Sequence, residues 1–130
     1  MGGLSPERDV SIVTGNSVIA AIKRKGLIAV PIQVDHNIGK TLQSNPIDLA
    51  FIALHGTFGE DGCVQGLLEY FKIPYTGPGV MGSALAYDKL KSKEILKFHE
   101  IPTADYEVFH RNQKICRTLD LPVVVKPTNQ

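Results

Sequence analysis

Six apolar residues, Leu49 to Leu54, follow Asp48 without interruption. A run this short, apolar on both faces of an extended chain, suits a strand buried within a parallel sheet. It leads directly into His55–Gly62, a loop with glycine at 56, 59 and 62. Beyond the loop, Val64 to Phe71 reads as an amphipathic helix. In α/β proteins, ligands bind at the carboxyl ends of parallel strands, where such a loop sits.

The rest of the chain repeats the alternation of strand and helix. Ser5, Pro6 and Glu7 form a helix start: Ser5 can cap, Pro6 fits the first turn, and Glu7 favours the positive end of the helix. Val10, Thr14, Val18, Ala21 and Ile22 follow at helical spacing, and Gly26 offers a stop. Leu27 to Val34 reads as a strand whose Pro31 suits an edge or bulge. Ile73 to Thr76 is a short strand ending at the Gly77-Pro78-Gly79 cluster. Val80 to His99 is expected to be helical, with a break or bend near Asp88. Asp105 to Phe109 and Val123 to Lys126 are further short strands, the latter with the composition of a buried one. The pattern predicts a parallel α/β sheet. The glycine-proline cluster divides the chain into an N-terminal α/β domain, 1–78, and a second segment, 79–130. A parallel domain ordinarily begins with a strand that feeds its first glycine turn; here Gly2-Gly3 is already that turn, so the first strand is expected to be missing.

Function classes are narrowed by charge and cysteine usage. The 130 residues carry a formal charge of +1 with no basic run, which speaks against a nucleic-acid footprint. The longest apolar stretches, Leu49–Leu54 and Val80–Tyr87, are too short to span a bilayer, which takes roughly 20 residues. Cys63 and Cys116 stand alone, as free thiols in a reducing compartment do, so a cytoplasmic protein is expected.

Several residues are singled out for chemistry, each with a structural alternative. Glu7 in the first helical turn is, by its local sequence, simply a favourable charge there; it could instead hold a substrate ammonium group. His55, at the mouth of the glycine loop, can donate to a carboxylate or phosphate, and loop position leaves function and structure evenly balanced. Glu60 and Asp61 read as caps of the following helix. The stretch Asp88–Lys93, including Lys89, reads as a solvated helix face. Lys126 ends a strand of three valines and must reach solvent or an anion; read alone, it reaches solvent. The histidines have no metal-ligand spacing. There is no Walker-type lysine loop and no nucleophile elbow. Taken residue by residue, this is a ligand-binding α/β protein whose pockets favour small charged groups, with no reaction specified.

The ordered motifs resemble the D-alanine–D-alanine ligase family along nearly the whole chain. They are Gly2-Gly3 with Ser5 to Ser11, Leu54-His55-Gly56 with Gly59 to Gly62, Gln65 to Glu69, Ile73 to Gly77 with Gly79-Val80, Ser83-Ala84, Asp88-Lys89, Ile101 to Thr103, and Pro122 to Pro127. The resemblance implies a Rossmann-like pre-ATP-grasp domain followed by the beginning of an ATP-grasp domain. It implies ATP-dependent joining of two D-alanines through an acyl-phosphate for peptidoglycan precursors, with Mg²⁺ or Mn²⁺ and in a homodimer. It further implies that Glu7 contacts the ammonium of the first D-alanine, that Val10 lines its pocket, and that His55 sits near the carboxyl group and the transferred phosphate. Lys89 and Lys126 match the lysines on the ATP phosphates. Asp9 and Tyr87 depart from the family's usual Glu and Met. The adenine pocket, the serine-rich phosphate loop and the acidic metal ligands have no counterpart in these residues, so this chain alone is expected to be inactive. Two alternatives stand beside the ligase: a non-catalytic remnant or binding module, and a D-alanine–D-lactate type ligase, whose second-substrate region is expected to lie beyond Gln130.

Overall fold

A computed structural model describes residues 1–129. The chain divides into two compact units, Met1–Ala84 and Leu85–Gln130. Five helices are present among the described residues: α1 (Arg8–Arg24), α2 (Ile38–Ser44), α3 (Cys63–Tyr70), α4 (Val80–Tyr87) and α5 (Lys89–Phe98). Helix α2 has no counterpart in the sequence reading.

Helix boundaries follow local chemistry. Helix α1 ends where Gly26 takes the left-handed conformation, with Gly26 N–H donating to Lys23 O at 3.0 Å and Leu27 N–H to Ile22 O at 3.3 Å. That pair of bonds satisfies carbonyls which the last turn leaves free. Helices α3 and α5 close the same way, with Lys72 and Glu100 in the left-handed position. The expected break near Asp88 falls on Asp88 itself. Its backbone is extended, and its Oδ1 accepts from Leu90 N–H at 3.0 Å and Lys91 N–H at 2.9 Å, capping α5.

In unit 1, four extended segments are connected side by side. Met1–Gly3 meets Ile32–Val34 through a parallel bridge at Gly2 and Val34, with Val34 N–H donating to Met1 O at 2.9 Å. Ala50 and Tyr75 form the second bridge, also parallel. The continuous sheet expected from the sequence is not formed among the described residues: the parallel sense is present, but each pairing is a single rung. Pro31 has no N–H to contribute, and the Ile52 N–H donates to the Thr76 hydroxyl instead of a carbonyl. Between Gly2 and Ala53 the link is a side chain. Ser11 on α1, wholly buried, accepts the Gly2 N–H at 2.9 Å and donates to Ala53 O at 2.5 Å.

The core is small: Leu42, Ala53, Leu54 and Leu68 are its buried apolar residues. This corrects the reading of residues 48–54 as buried on both faces. Ala53 and Leu54 are buried, but Leu49 is 60% and Phe51 51% exposed. Alternate side chains of an extended segment point to opposite faces, so both faces are covered at Ala53 and Leu54, while the face shared by Leu49 and Phe51 is open earlier in the segment.

In unit 2, Lys93 Nζ donates to Thr103 Oγ1 and Ala104 O, and Lys93 and Lys97 lie over the Tyr106 ring. Glu107 accepts the Thr118 hydroxyl and the N–H groups of Thr118 and Leu119, which hold its carboxyl below the usual range. The expected strands at 105–109 and 123–126 are without ladder pairing. Val124 and Val125 are exposed, a second correction: no strand lies beside them among the described residues of the unit to cover the valines.

Candidate functional site

The site in unit 1 is assembled by three serine and threonine hydroxyls whose positions follow from α1. Ser5, just ahead of the helix, is buried; its hydroxyl donates to His55 O at 2.7 Å and accepts the Glu7 N–H at 3.2 Å. Ser5 therefore ties the start of α1 to the mouth of the glycine loop. Ser11, in the first turn of the helix, makes the buried link to Ala53. Thr14 lies one further turn along, and its Oγ1 is 3.1 Å from His55 Nε2. Residues three apart share a helix face, which is why Ser11 and Thr14 address the same strand end.

The loop itself is shaped by two glycines. Gly56 has φ +71°, and a Cβ there would collide with the Glu7 Oε2 atom. The close approach of Glu7 to the loop thus requires glycine. At Gly59 a Cβ would stand 2.5 Å from that of Leu54, so the chain can fold back over the strand only without a side chain. Glu60 Oε2 accepts the Gly56 N–H at 2.7 Å, while its Oε1 lies 3.8 Å from His55 Nδ1. Asp61 accepts the Phe58 N–H at 2.8 Å and the Cys63 N–H at 3.1 Å. Partial burial works to raise the Asp61 carboxyl, but these bonds and one from the Cys63 thiol outweigh it and hold the carboxyl below its ordinary range. Burial pushes the Cys63 thiol up, and the Asp61 carboxylate adds to the rise, which disfavours the reactive thiolate.

Glu7 and His55 are therefore brought to one end of unit 1. Glu7 stands at the N-cap position of α1, without a capping bond from its side chain, and its carboxylate is directed to Gly56. Val10 is exposed on the first turn. Of the two acids expected to cap the helix after the loop, only Asp61 does so, taking the first N–H of α3. Glu60 serves the loop and the imidazole instead. The residues missed from sequence are Ser5, Ser11 and Thr14. Thr14 falls within the apolar stripe of α1, and the signal for it is a hydroxyl in register with Val10 and Ser11.

Lys89 and Lys126 belong to unit 2. Lys89 is the first residue of α5, its ammonium 5.9 Å from the Tyr87 ring centroid. Its N–H donates to Thr128 O at 2.7 Å, bringing the segment after Lys126 to the N-terminus of that helix. Lys126 is exposed. Among the described residues, no three His, Cys, Asp or Glu side chains gather as a metal site, and no helix is long and apolar enough to cross a membrane.

Comparison with known proteins gives a consistent family. The family model "D-ala D-ala ligase N-terminus" matches residues 36–78. The D-alanine–D-alanine ligase of Carboxydothermus hydrogenoformans is 49% identical over 96% of this chain, and that of Syntrophotalea carbinolica 50% identical over all of it. In each case the chain spans 43% of the relative's length. The crystal structure of the Bacillus anthracis ligase in complex with ATP superposes with a TM-score of 0.76 at 40% identity, covering 88% of this chain and 40% of that one. With half of its residues identical to such ligases along its whole length, and with their fold, the chain belongs to the D-alanine–D-alanine ligase family.

Proposed function

We propose that this chain supplies the first-alanine pocket and two phosphate-binding lysines of an ATP-dependent ligase that joins two D-alanines for peptidoglycan precursors. The observation that carries the reading is the convergence of the Glu7 carboxylate and the His55 imidazole on one glycine-bounded loop beside a helix start. An amino acid offers an ammonium and a carboxylate a few ångströms apart. Glu7 holds the ammonium by a charge-assisted bond, and His55 directs an N–H towards the carboxyl end. Val10 bounds the methyl side.

In the second unit, Lys89 and Lys126 hold phosphate oxygens. The hydrogen bond between Lys89 N–H and Thr128 O keeps their two backbone segments adjacent. This donor set fits a nucleotide's phosphates. When bound, ATP supplies the phosphoryl group that activates the first carboxyl group. Mg²⁺ or Mn²⁺ belongs to this reading through the family, but no described residue is assigned to it and no step is placed on it. A cytoplasmic homodimer is the corresponding setting; a domain boundary between residues 78 and 79 belongs to the same proposal.

The test is a chimaera in which this segment replaces its counterpart in the Bacillus anthracis ligase. Glu7→Gln keeps shape and removes charge; losing a bond of about 1.5–3 kcal/mol weakens D-alanine binding roughly ten- to a hundredfold. His55→Ala lowers kcat, because its contact strengthens as the carboxyl group reacts. Near-normal kinetics in both variants would refute the alanine-pocket assignment.

A further inference from the structure

The two nitrogens of the His55 imidazole face groups of different kinds, one a carboxylate and the other a hydroxyl. On one side, Glu60 Oε1 lies 3.8 Å from Nδ1. That carboxylate is not free to swing away, because its other oxygen accepts the Gly56 N–H at 2.7 Å. On the other side, the Thr14 hydroxyl is 3.1 Å from Nε2. The Ser5 hydroxyl donates to the carbonyl of the same histidine at 2.7 Å, so ring and main chain are both anchored.

A neutral imidazole carries one proton, on either nitrogen. An ionised carboxylate can only accept. With the proton on Nδ1, the N–H dipole faces the Glu60 charge, and the Nε2 lone pair accepts the Thr14 O–H. With the proton on Nε2, the Nδ1 lone pair would face the carboxylate, two negative ends opposed. A hydroxyl adapts to either state by rotating, whereas a carboxylate does not. We infer that Glu60 is a positioning residue that holds neutral His55 as the Nδ1–H tautomer, with the proton on the side of the glycine loop, while the Thr14 hydroxyl serves the Nε2 lone pair that this leaves. The consequence for turnover rests on the proposed alanine pocket: Glu60 acts on a substrate only through the tautomer and orientation of His55.

The tautomer is read directly from the ring ¹⁵N shifts of this chain, labelled at histidine and recorded in alkaline buffer without substrate. In the unsubstituted protein and in Thr14→Ser, the Nδ1–H form should outweigh the other about tenfold, the ratio that a net preference near 1.4 kcal/mol sustains. Glu60→Gln should bring the ratio to about parity, with the helical circular dichroism retained, whereas Thr14→Val should leave the Nδ1–H form dominant, because the hydroxyl serves either state. A dominant Nε2–H form in the unsubstituted chain overturns the inference, as does an unchanged ratio in the glutamine variant or a loss of the preference in the valine variant. The ring measurement needs no ligand, so it fails or succeeds independently of the chimaera kinetics: normal turnover in His55→Ala would remove the alanine-pocket reading and leave the tautomer assignment standing.

Discussion

Removing the Ser11 hydroxyl should be the most damaging single-atom change in unit 1. The side chain has no solvent exposure, and its Oγ serves two buried backbone groups at once, the Gly2 N–H at 2.9 Å and the Ala53 carbonyl at 2.5 Å. Ser11→Ala leaves both without their partner. Each buried polar group left unsatisfied costs about 1–3 kcal/mol. The pair shares one hydroxyl and is not strictly additive, so the expected loss is about 2–5 kcal/mol. Each kcal/mol shifts the midpoint of a chain of this size by about 3–5 °C, giving a Tm fall of about 6–25 °C. Urea unfolding followed by circular dichroism measures the free energy, with an unchanged m-value marking a true stability effect. The comparison variant is Ser17→Ala, an exposed α1 serine whose hydroxyl donates to Val13 O at 3.1 Å within its own helix. It should change stability by less than about 0.5 kcal/mol. If Ser11→Ala is no more destabilising than Ser17→Ala, the hydroxyl is not the joint between the first segment and the His55 strand, and the reasoning fails.

Three further outcomes follow from local chemistry. Asp88→Ala, which removes the acceptor for Leu90 and Lys91 N–H, should lower stability by about 1 kcal/mol in the same urea assay, with Asp88→Asn recovering most of it. The Asp61 carboxyl titrates below its unfolded value, so its contribution is present above the ordinary carboxylate pKa and is lost as pH falls through the lower folded value; urea midpoints of the unsubstituted chain and Asp61→Asn should therefore differ at neutral pH and converge as pH falls below the ordinary carboxylate range. Lys72 occupies a left-handed position at the end of α3 with φ 57°, so Lys72→Gly should leave stability unchanged or raise it by up to about 1 kcal/mol, seen as a higher Tm; a clear fall would contradict the strain argument.

Local sequence alone determined the features that depend on a few neighbouring residues. The start and stop of α1, the break at Asp88 and the helix after the glycine loop are all written in caps, glycine and apolar spacing, because each is decided within one or two turns of chain. The motif order also sufficed for the family, and it singled out Glu7 and His55. Tertiary structure decided what depends on partners far along the chain. Leu49, Phe51, Val124 and Val125 have the composition of buried strand yet lie exposed, because burial requires a covering layer that hydropathy cannot count. Helix α2 lacked a legible start, since Asn37 at its N-cap makes no side-chain capping bond. Ser5, Ser11 and Thr14 looked like helix starters and fillers; only folding set their hydroxyls against His55 and Ala53, some 40 to 50 positions away. A hydroxyl costs little on an exposed helix and becomes decisive when buried between backbone groups, because desolvation turns an optional hydrogen bond into a required one.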